Sequence, residues 1–237
     1  MMTSKLVRAS KFGARLLTAA GTALVLAALC GASPARALDE QAGEKQAIDA
    51  CEKQLCSMLL LKSPTGGDLK CQLTKTWGKD TIKEAESKAV TWGFGDARCS
   101  VDLNIMRAAI VSAMTSEKFV YEVPAHTANC IVEQDGQVST VTARLAPKII
   151  FANGKAEKVW INLKNVEGPT TIKATIWTAA RLEDSIGLFH RQMIKSMNKF
   201  IERSCAKKYP QIASAAGLPP VVKDKPKKAK PGQAPTK

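Results

Sequence analysis

The chain has 237 residues, with 35 Lys and Arg against 21 Asp and Glu, a net charge of +14 at neutral pH, and only two histidines. No C-x2-C spacing occurs among its seven cysteines, so the composition argues against a zinc site and implies no metal or cofactor. The G-x-S-x-G and H-E-x-x-H patterns are also missing, which leaves little for nucleophilic or metal catalysis.

Lys5, Arg8, Lys11 and Arg15 precede an uncharged run from Leu16 to Ala32, and Ala35-Arg36-Ala37 closes it. A basic start, an apolar middle and an A-x-A end are the order of a secretory signal peptide. Residues 1–37 are therefore expected to be cleaved near Ala37, leaving a periplasmic or secreted protein. An uncleaved anchor is disfavoured, because a run of about 17 residues is at the lower limit for a bilayer span. A lipid anchor at Cys30 is disfavoured by Leu29 before it. Cleavage removes five basic residues, so 30 remain against 21 acidic ones, a charge of +9. Residues 218–237 carry six lysines and one aspartate, or +5, which leaves about +4 on the folded part. A basic domain face for nucleic acid is thus not indicated, and no nucleic-acid partner is expected.

Cleavage also removes Cys30 and leaves Cys51, Cys56, Cys71, Cys99, Cys130 and Cys205. In an exported chain these read as disulfides. Glu44 to Lys62 repeats apolar residues at three and four (Ile48, Cys51, Leu55, Met58, Leu59), the mark of a helix face. On it Cys51 and Cys56 point about 140° apart, so each must reach another element. The expected pairs are Cys56–Cys71, Cys51–Cys205 and Cys99–Cys130.

Leu69 to Trp77 reads as a strand, and Thr81-Ile82-Lys83-Glu84 has the capping-box spacing of a short helix. Val90–Phe94 and Arg98–Ile105 read as a hairpin about Gly95-Asp96, and Met106–Thr115 as a short helix. Strands follow at 119–123 and 129–133. Asp135-Gly136 marks a hairpin turn. Val138–Phe151 reads as one long strand bent at Pro147, and Val159, Ile161 and Leu163 as one face of a last strand. The fold class is α+β and disulfide-stabilised. It has an N-terminal helix, a curved antiparallel meander of about five to seven strands, and a long amphipathic C-terminal helix packed on the sheet. That helix runs over 170–207 with a bend at Gly187, although 170–177 is β-branched enough to compete as strand. Residues 38–210 form the single domain, and 211–237 a disordered Pro/Lys/Ala tail.

On the last helix, Ile186, Phe189, Met193, Met197, Phe200 and Ile201 share one arc, with His190 at its margin and Arg191, Lys195 and Lys199 opposite. These residues either fill the core under the sheet or line an apolar pocket. Glu183-Asp184 reads as solvated face, and His126 as a loop residue. Trp160, with Asn162 and Lys164 on its face, is a candidate stacking platform. The expected function is an exported, non-catalytic module holding an apolar or amphipathic, lipid-like small molecule between sheet and last helix. One alternative is an envelope adaptor, whose Lys223, Lys225, Lys227, Lys228 and Lys230 meet an anionic surface. The other is a hydrolase with an unrecognised site. Oligomeric state is not encoded legibly.

Overall fold

The computed structural model describes residues 38–84, 90–187 and 189–219. The leader and the tail lysines Lys223 to Lys230 lie outside the described residues. The protein is α+β, with eight strands, all antiparallel, between an N-terminal helix and a C-terminal helical series. Helix α1 (Glu44–Leu61) and strand β1 (Leu69–Trp77) run as the periodicity predicts. Helix α2 (Lys79–Glu84) leads towards β2 (Ala97–Ile105), and α3 (Arg107–Thr115) follows at once. Then come β3 (Lys118–Glu122), β4 (His126–Gln134), β5 (Gln137–Leu145), β6 (Lys148–Ala152), β7 (Lys155–Trp160) and β8 (Leu163–Glu167).

The strands do not make one meander. They form a five-stranded sheet, β1-β2-β4-β5-β8, and a three-stranded sheet, β3-β6-β7. The chain changes sheet four times, once through α3 and three times at short breaks, each of which carries a residue unsuited to a continuous ladder. Pro124 lies between β3 and β4, and Pro147 between β5 and β6. Proline has no N–H to give a ladder. Asn162, with φ of 47°, lies between β7 and β8. Residues 138–151 are therefore two strands, and 159–163 does not continue as one. The breaks are tied together, for the Val123 N–H donates to Pro147 O at 2.8 Å and the Ala146 N–H to Asn162 O at 3.1 Å. The turns at Asp135-Gly136 and Asn153-Gly154 both have two positive φ values, the backbone that suits the twist of a two-residue hairpin.

The expected hairpin of 90–94 with 98–105 does not form. β2 pairs instead with β1 and β4. Gly95 donates to Glu133 O at 2.8 Å, and a Cβ there would come within 2.5 Å of the Glu133 carboxylate. The segment thus crosses closely over the end of β4, where only glycine fits.

The C-terminal helix bends where expected. Helix α4 (Thr170–Ile186), helical throughout 170–177, ends with Gly187 in the left-handed region at φ 65°. Helix α5 (His190–Lys199) passes through a five-residue π-turn (Phe200–Ser204) into α6 (Cys205–Lys208). A further helix, α7 (Pro210–Ala215), buries Ala213, so the folded part runs beyond residue 210, where the sequence reading ended it. The bend divides the series between two cores. Ile172 and Ile176 of α4 pack with Val132, Val141 and Val166 on the five-stranded sheet. Met197, Phe200 and Ile201 pack with α1, α3 and the three-stranded sheet. Asn198 docks α5 on the edge strand β7, accepting from Ala156 N–H at 2.8 Å and donating to Ala156 O at 2.9 Å. Both free backbone groups of one edge residue are thereby satisfied.

Three disulfides staple this frame: Cys51–Cys71, Cys56–Cys205 and Cys99–Cys130. Such a set points to an oxidising compartment. Cys99 and Cys130 stand opposite each other on β2 and β4, as expected. The other two pairs exchange partners relative to the sequence reading, and the reason is a matter of height. Glu44, at the start of α1, sits on Thr76 near the end of β1. Seven residues of helix climb about 10 Å, the span of about three strand residues. Cys51 is therefore carried back along β1 towards Cys71. Cys56, turned to another face, meets α6. Among the described residues, no helix is long and apolar enough to cross a membrane.

Candidate ligand cavity

Between α1, α3, the three-stranded sheet and the π-turn lies a cavity of about 210 Å³ onto which no polar surface opens. Leu55 and Leu59 of α1 form one side, and Ile105 closes an end. Tyr121 of β3 with Ile149 and Phe151 of β6 form the floor, and Met197, Phe200 and Ile201 the roof. Two local features explain the space. Ala109 and Ala113, one turn apart on α3, both face it and contribute little volume. The π-turn, in which the Cys205 N–H bonds to Phe200 O, turns less per residue than an α-helix, and its adjacent Phe200 and Ile201 both line the roof. Leu55, Ile105, Val123, Ile149 and the three roof residues are only half-buried, so the rim is accessible.

The Tyr121 hydroxyl is buried and makes no hydrogen bond of acceptable geometry. Burial pushes its pKa up, the Met106 backbone N–H draws it weakly down, and the Asp68 charge adds to the rise. It therefore remains a neutral phenol in the wall.

Of the residues singled out on the last helix, Met197, Phe200 and Ile201 line the cavity. Ile186, Phe189, His190 and Met193 do not. Ile186 is 69 % exposed at the end of α4, because the break at Gly187 rotates the arc between α4 and α5. Arg191, Lys195 and Lys199 face solvent, as an outer stripe should. The α3 alanines were not singled out as lining residues, since a small side chain on an apolar face does not show in sequence whether it leaves a space. Glu44 was also missed, and Asn198 was not distinguished from its polar neighbours.

Glu183 and Asp184 are not a solvated face. Asp184 accepts from Ile161 N–H at 2.7 Å and Asn162 N–H at 3.0 Å, holding the sheet-change between β7 and β8. Glu183 is 2 % exposed and accepts from Phe189 N–H at the elbow. Its other oxygen lies 3.8 Å from His190 Nδ1, beyond hydrogen-bond reach. The two carboxylates diverge, and neither lines the apolar cavity. His126 begins β4 and is buried. Its Nδ1 faces Pro124 O at 2.5 Å, and its Nε2 accepts from Asn104 N–H at 3.3 Å. Both ring nitrogens are engaged in holding a strand start. Trp160 and Lys164 fall on strands of different sheets, so the imagined stacking face does not exist. Among the described residues, no group of three His, Cys, Asp or Glu is placed to hold a metal. Compared with protein-family models, curated proteins and solved structures, the chain matches none.

Proposed function

We propose that the chain is an exported, non-catalytic binding protein that takes one small apolar group, a single ring or a short hydrocarbon end, into the cavity under the π-turn. The observation that carries this reading is a space of about 210 Å³ onto which only apolar side-chain surface opens. Pockets for drug-sized ligands start at about 300 Å³, whereas an apolar cavity of about 150 Å³ is known to hold benzene. The size therefore favours a small group over a whole lipid, which narrows the lipid-like ligand that the sequence suggests. An apolar lining offers water few partners, so filling the space with an apolar group is favourable. The leader and the disulfides support a periplasmic or secreted setting.

Ala113→Leu is the test. Its added side chain fills the space, so toluene added to the protein should shift the NMR signals of Tyr121, Phe151 and Ile201 in the parent and leave them unmoved in the variant. The same substitution should raise stability by about 0.5–2 kcal/mol, as cavity filling commonly does. A parent protein whose lining signals ignore toluene would remove this reading.

A further inference from the structure

The first described residue is fastened to a buried carboxylate. Leu38 N donates to Asp96 Oδ2 at 2.9 Å, and Lys79 N–H donates to Asp96 Oδ1 at 2.7 Å. Asp96 is 9 % exposed. Among the described residues, no cationic side chain makes an ion pair with it. A buried carboxylate held only by amides is costly, because its charge lacks a counter-charge. The residues after Leu38 are fastened too. Arg98 donates to Asp39 O, and the Glu44 carboxylate accepts from Thr76 and Lys75. The start of the exported chain is thus seated against the ends of β1 and β2.

The sequence reading cuts the leader after Ala37, which makes Leu38 the first residue of the exported protein. We infer that Asp96 is the receptor for the α-ammonium created by that cut. This rests on the export reading and is independent of the apolar cavity. A signal peptidase hydrolyses the Ala37–Leu38 amide. The C–N bond breaks, water supplies the hydroxyl that completes the Ala37 carboxylate, and the released amine takes a proton. Until then Leu38 N is a neutral amide donor. Afterwards it is a cation at the same place, and the bond to Asp96 becomes an ion pair. Charge-assisted bonds of this kind are roughly twice as strong as neutral ones. Processing therefore completes the fold, and the precursor is the less stable form.

The charged groups around the pair are Lys79 from α2, Glu133 from β4, Asp135 in the following turn, and Asp39 with Arg98 beside Leu38. Glu133 Oε2 takes the Asp96 N–H at 3.3 Å, so the setting is acidic and favours the ammonium. An ordinary α-amino group titrates at about 7.7–8.0. Bound to Asp96, that of Leu38 should titrate at least about one unit higher, a tenfold preference for the charged form. A pKa raised on folding stabilises below the unfolded value, and the benefit is lost as pH rises through the folded value.

The experiment uses the exported protein and begins with N-terminal sequencing, which should read Leu38. The α-amine is then dimethylated with a ¹³C label and titrated by NMR, in the parent and in a protein retaining Ala37. The parent should show the raised pKa, and the retained-Ala37 form an ordinary one. The latter should also have an unfolding equilibrium constant roughly 4–12-fold larger, the difference between a charge-assisted bond and the neutral one that the Leu38 amide keeps. This comparison keeps Asp96 in place, so it does not depend on an Asp96→Asn variant folding. A first residue other than Leu38 overturns the inference together with the cleavage reading. Leu38 found first but titrating ordinarily overturns the Asp96 receptor alone.

Discussion

Replacing Cys56 and Cys205 together by alanine is expected to cost about 5 kcal/mol, the largest loss from any one linkage in the chain. The bond closes a loop of sequence separation 149, against 20 for Cys51–Cys71 and 31 for Cys99–Cys130. In the chain-entropy description, those shorter loops are worth about 3–4 kcal/mol each. Domains of this kind have only about 5–15 kcal/mol in hand. The Cys56–Cys205 bond also joins α1 to α6, just beyond the π-turn that roofs the cavity. Both sulfurs are fully buried, so the truncation adds a small packing loss. Equilibrium unfolding in urea should show the Cys56/Cys205 variant losing more than the Cys51/Cys71 variant. An equal or smaller loss would refute the assignment of the long loop. A non-reduced digest should yield peptides linking 51 with 71, 56 with 205, and 99 with 130.

Glu44→Gln should remove about 2 kcal/mol at neutral pH and almost nothing near pH 2. The Glu44 side chain is hidden from solvent although it carries a charge. Burial alone would raise its pKa. The Thr76 amide at 2.7 Å, Lys75 Nζ at 3.0 Å and the Thr76 hydroxyl at 2.8 Å outweigh that and hold it at about 2. A carboxylate whose pKa falls on folding stabilises above its unfolded value, and the benefit disappears as pH drops through the folded value. The loss should therefore run between about pH 4.5 and pH 2. Lys75 is 43 % exposed, so its share is screened and the amide and hydroxyl bonds dominate. Urea midpoints at pH 7, 4 and 2.5 check this. A gap between parent and variant that stays constant with pH would show that Glu44 acts through packing, not charge.

How much the sequence revealed depended on whether a signal was local. Helix α1, the strand at 69–77, the turn at 135–136 and the bend at Gly187 are each written in adjacent residues, and each is found where expected. The division into two sheets is not local. Pro147 was legible as a break, but only the pairing of β6 with β3 shows that the chain leaves one sheet for another there. The disulfide partners turned on the relative height of α1 and β1, which no spacing in the chain records. The cavity was half legible. Met197, Phe200 and Ile201 stand out by their apolar arc, but the break at Gly187 removes Ile186 from that face. Ala109 and Ala113 define the space by what they lack. Glu183 and Asp184 read as surface because a charged pair on a helix usually is. Here the free amides of the β7–β8 break and of the helix elbow call for acceptors.

The most direct measurement is native mass spectrometry of the protein purified from its own cell envelope, beside Ala113→Leu prepared in the same way. A small apolar adduct of one ring or one short chain should accompany the parent and be missing from the variant. A parent that carries no such adduct, or an adduct that both proteins carry equally, would contradict a binding role for the space beneath the π-turn.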